Sequence, residues 1–60
     1  MIGRGKKAIQ RQIDDLHDRA EEHRGRASSY TYAGLHKKAA YHNEESSRLV
    51  LQAKRLREQL

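Results

Sequence analysis

Cysteine, proline, tryptophan and phenylalanine are all absent from this chain. Without cysteine there is no disulfide framework and no thiolate metal centre. Without proline, nothing compels a helix to stop. Three tyrosines make up the whole aromatic complement, and the longest apolar run is Leu49-Val50-Leu51. Nothing reads as a bilayer span. Met1 to Lys7 is basic, but Ala8 to Asp18 is too polar for a signal core, so a cytoplasmic setting is expected. Sixty residues bound the chain to one small domain and exclude a multi-domain enzyme.

What the chain has in abundance is charge. Thirteen Lys and Arg face eight Asp and Glu, for a formal net charge of +5. Only ten residues are Leu, Ile or Val. That composition borders on the disordered class. A monomer is expected to be marginal, with self-association or a partner supplying the missing burial.

The apolar residues are nevertheless periodic. Ile9, Ile13, Leu16, Ala20, His23 and Ala27 alternate four and three apart. Tyr32, Leu35, Ala39, His42, Ser46, Leu49, Ala53, Leu56 and Leu60 do the same. This 3.5-residue repeat is a coiled-coil seam. Gly25 offers a helix stop, Ser28 or Ser29 a cap, and Ala27 to Tyr32 breaks the spacing. The reading is an all-α antiparallel hairpin: a flexible basic arm at 1–4, helix 1 at about 5–24, a loop at about 25–29 and helix 2 at about 30–59. His42-Asn43-Glu44-Glu45 suggests an alternative with a third helix starting near Asn43.

Folding at Ala27/Ser28 would set Leu16 against Ala39, Ala20 against Leu35, Ile13 against His42 and Ile9 against Ser46. Large would then oppose small along the seam. Val50 and Leu51 fall off this seam, which points to a second interface and a homodimeric four-helix bundle.

Charge comes in blocks. Arg4, Lys6, Lys7 and Arg11 carry no acid among them. Asp14, Asp15, Asp18, Glu21 and Glu22 follow against Arg19 alone. In the expected hairpin this acidic block lies alongside Lys37 and Lys38. The first and last blocks meet at the open end with seven net positive charges. Arg4, Lys6, Lys7, Arg11, Lys54, Arg55 and Arg57 are therefore candidates to dock a phosphate backbone or an acidic protein surface. No aromatic residue at that pole offers base stacking.

The chemistry-bearing residues are thin. Four histidines raise the question of metal, with Asp14, His17, Glu21 and His36 the nearest to a ligand set, but no short-spaced His motif is present. His42, Glu45 and Ser46 share a face, yet two helices provide neither an oxyanion site nor a cleft. Neither cofactor nor metal nor small-molecule substrate is expected. His42 reads as part of a polar seam layer whose protonation loosens the assembly. Tyr41, off the seam, is a candidate contact residue.

The leading expectation is a non-catalytic interaction protein, an adaptor, inhibitor or regulator, that self-associates and binds a protein partner through Val50, Leu51 and Tyr41. A nucleic-acid-binding regulator using the basic pole is the second reading. A structural subunit of a larger assembly is the third.

Overall fold

A computed structural model describes the backbone of residues 2–60 and the side chains of residues 5–60. It is all-helical: α1 spans Ile2–Tyr32 and α2 spans His36–Arg57, packed against each other as a hairpin. The Cα envelope measures 49 × 14 × 9 Å. Among the described residues, no helix is long and apolar enough to cross a membrane.

The turn differs from the sequence expectation. It lies at Ala33–Leu35 and not at 25–29, and α1 runs through Gly25, Ser28 and Ser29 without interruption. Gly34, at φ 80°, is the residue that stops the helix. Its N–H donates to the Thr31 carbonyl at 3.0 Å, and the Leu35 N–H donates to the Tyr30 carbonyl at 2.8 Å. These two bonds are a Schellman motif, which satisfies carbonyls the helix end leaves open. The physical reason it forms here lies in the next residue. Gly34 is followed by apolar Leu35, which returns toward Tyr30, whereas Gly25 is followed by charged Arg26 and has nothing to dock.

Two other expectations are corrected. The arm expected at 1–4 is helical from Ile2; Met1 and the side chains of residues 2–4, Arg4 included, lie outside the described residues. The alternative break near Asn43 is absent, because α2 continues through it. An unbroken heptad repeat there outweighs the local capping signal.

The seam is built from small residues at steps of seven. Ala20 and Ala27 follow Ile13 on α1, and Ala39, Ser46 and Ala53 follow one another on α2; all six are buried. Among the described residues, Ile13 is the one large side chain fully enclosed. Two contacts fix the register. Ser46 Oγ donates to the Ala20 carbonyl at 3.0 Å, and His23 meets His42. A serine side chain reaching the opposite backbone requires closely spaced helices, which alanine permits. Seven-residue steps from these contacts set Ile13 by Ala53 and Ala27 by Ala39. The expected pairings of Leu16 with Ala39, Ala20 with Leu35, Ile13 with His42 and Ile9 with Ser46 are therefore replaced. Small opposes small in the seam at Ala20/Ser46 and Ala27/Ala39, Ile13 lies over Ala53, and large opposes large beside it.

Candidate interaction surface

The seam has two flanks, and helical geometry assigns residues to each. Positions three after or four before a seam residue lie on one side, and positions four after or three before it on the other. On the first flank, Ile9, Leu16, His23 and Tyr30 of α1 face Leu56, Leu49, His42 and Leu35 of α2. Seven of these eight are half-buried, and Leu35 is exposed at the turn. None carries a fixed charge. The His23–His42 contact confirms that they share one side. On the second flank, His17 shares a shallow groove with Val50, Lys54 and Arg57. Arg24, Thr31 and Asn43 border another. Val50 is the apolar member of that side.

The third layer of the first flank is polar but satisfied. His23 Nδ1 and His42 Nδ1 lie 2.8 Å apart. One of these nitrogens carries a proton and donates it to the other, so the contact holds a single proton. The Tyr30 ring stacks on His42 with centroids 5.4 Å apart, and Tyr41 meets His42 edge-on at 5.1 Å. Lys38 Nζ stands 5.6 Å from the Tyr30 centroid. Desolvation lowers the His42 pKa below the ordinary histidine value, helped by His23 and Arg26 and opposed by Glu45.

The residues singled out from sequence separate into two places. Val50 and Leu51 line one groove with Arg24, Ser47 and Lys54 on the second-flank side. Tyr41 is exposed over His42. Lys6, Lys7, Arg11, Lys54, Arg55 and Arg57 are all exposed at the open end, with the Arg4 backbone. The described ion pairs, Asp15 with Arg19 at 3.3 Å and Glu45 with Arg48 at 3.5 Å, involve none of them.

The corrected turn also redistributes charge. The acidic block of α1 lies across residues 44–52 and not alongside Lys37 and Lys38, which join Arg24 and Arg26 near the turn. The open end holds Arg4, Lys6, Lys7, Arg11, Lys54, Arg55 and Arg57 against Glu58, and Arg48 belongs to the waist. The hairpin is thus basic at both ends and acidic at the waist.

His17 and His36 do not come together: His17 lies beside Val50, while His36 opens α2 at the turn. Among the described residues, no group of three His, Cys, Asp or Glu is placed to hold a metal ion. Ser46, one turn beyond His42 on the same face, commits its hydroxyl to the Ala20 carbonyl. Sequence reasoning missed Tyr30 as a seam-flank residue of α1 by setting it at the start of helix 2, where it would close the loop end. Its signal was present, since Tyr30 follows Ala27 by three and continues the alternation.

No family model, curated protein or solved structure matches this chain.

Proposed function

We propose that this chain is a non-catalytic interaction protein of the cytoplasm, acting as an adaptor, inhibitor or regulator. It self-associates, two hairpins making a four-helix bundle, and docks a macromolecular partner through its remaining exposed apolar and basic surfaces. The supporting observation is the uncharged flank that the hairpin leaves half-open along its length. Among the described residues the buried seam is alanines, Ser46 and Ile13, a small core, and covering that flank adds the large side chains to it. Sedimentation equilibrium tests the reading. The expected mass is twice the 7.0 kDa of the chain; a monomer at every concentration refutes it.

A second reading, a nucleic-acid-binding regulator, is favoured by the exposed cations gathered at the open end, Lys6, Lys7, Arg11, Lys54, Arg55 and Arg57. Anisotropy of labelled duplex DNA, single-stranded DNA and hairpin RNA, from about 50 to about 300 mM salt, tests it. Binding that weakens steeply with salt supports a phosphate-docking pole. No binding at low salt leaves that pole to an acidic protein surface.

A further inference from the structure

The four histidines are scattered along the chain, yet the turn at Ala33–Leu35 brings two of them together. His23 and His42 stand nineteen residues apart in sequence and meet Nδ1 to Nδ1 at 2.8 Å, one from each helix. No short-spaced motif announces them. Both are half-buried, so solvent reaches the pair. The bond from Ser46 to the Ala20 carbonyl, one turn away on each helix, holds the two backbones in register. Tyr30 stacks on the His42 ring and Tyr41 meets it edge-on, which fixes its plane.

This geometry suits a chelate. Two nitrogens 2.8 Å apart, each bonded to one ion at about 2.0 Å, subtend about 90° at that ion. Neighbouring positions of a square-planar ion have that angle, whereas a tetrahedral ion needs its ligands about 3.3 Å apart. Imidazole nitrogens in square-planar geometry select divalent copper, which also heads the affinity order of the first-row ions. The surrounding charge disfavours ions held by charge alone. Arg26 stands near His42, Lys38 stands over Tyr30, and the Glu45 carboxylate is drawn to Arg48. Burial keeps the His42 ring neutral, the form that binds a metal.

We propose that His23 and His42 form a two-point site for divalent copper, with water in the remaining positions. The binding step releases no proton. The ring that donates at Nδ1 shifts that proton to its own Nε2, and both Nδ1 lone pairs turn to the metal. One ligand comes from each helix, so the ion cross-links the hairpin and favours the folded chain.

Titration of the full chain with copper(II) chloride near neutral pH tests this. One site of micromolar affinity is expected, with two coordinated imidazole nitrogens by electron paramagnetic resonance. At saturation the melting temperature is expected to rise by about 5 °C. His23→Gln with His42→Gln is expected to weaken binding by about 100-fold, and His17→Gln with His36→Gln by less than about threefold. Undiminished affinity in the first variant, or loss of binding in the second, overturns the proposal. In case the first variant fails to fold, the wild-type chain decides alone: fewer than two coordinated nitrogens, or a melting temperature that copper does not raise, overturns it as well.

Discussion

Leu49 and Val50 are neighbours in sequence, both aliphatic, and belong to opposite worlds. Leu49 faces Leu16 on a flank with no fixed charge, and Val50 sits with His17, Lys54 and Arg57. One residue is about 100° of helical rotation, enough to carry a side chain across the seam. Burial hardly separates them, since Val50 at 37% exposure is only just on the exposed side. What separates them is company. An apolar residue amid others at seven-residue steps belongs to a continuous stripe, whereas one among cations belongs to a small mixed patch.

This contrast can be broken most severely at the seam both flanks share. Ala20→Leu forces the closely spaced helices apart and removes the geometry of the Ser46 bond. The expected loss is about 3 kcal/mol by thermal or urea unfolding. Next comes the pair of neighbours. Leu49→Ala is expected to cost about 2 kcal/mol, and Val50→Ala no more than about 0.5 kcal/mol. Equal costs would erase the distinction between flanks.

The two glycines sharpen the account of why the flanks line up. Gly34→Ala places a Cβ in the left-handed region and is expected to cost about 1 kcal/mol, although nothing crowds the position. Gly25→Ala, in mid-helix and equally open, is expected to stabilise by about 0.5 kcal/mol or more. Calorimetric melting of both variants checks the opposite signs.

The mildest effect is expected from acid. The His42 pKa is lowered in the folded chain, so the unfolded chain takes up its proton at higher pH. Stability is therefore fully present above the unfolded value of about 6.5 and declines as pH falls below it, levelling off beneath the folded value. Protonation of His42 at Nδ1 also breaks its 2.8 Å contact with His23. Melting temperatures across about pH 8 to 5 should fall at the acid end, and His42→Gln should flatten the curve.

Much of this was readable from residues alone. The alternating spacing of Ile9 to Ala27 and of Leu35 to Leu60 gives two helices, their antiparallel packing and nearly all of both stripes. The turn was misplaced because Gly25 and Ser28-Ser29 carry the right local chemistry for a boundary. Local chemistry loses when the apolar repeat continues past it. The decisive cue was the combination of Gly34, Leu35 after it and Tyr30 before it. Moving the turn changed every cross-helix pair, and with it the identity of the apolar flank and the placing of the acidic block. The basic open end survived because either turn brings the termini together. The neighbours of Val50 were not legible, since they depend on which residues of α1 pass beside it.

The alanine seam carries one further consequence. Its repeat is a scale with nearly identical marks every seven residues: Ser46 could sit opposite Ala27 with the same small-residue logic as opposite Ala20. Such a scale has no origin of its own. The three-residue turn at Ala33–Leu35 supplies it, selecting one alignment among several that the helices alone would accept. Chain length between the helices is thus a coordinate of the surface. A heptad inserted there would not merely lengthen a loop; it would let the same two faces meet in a different alignment.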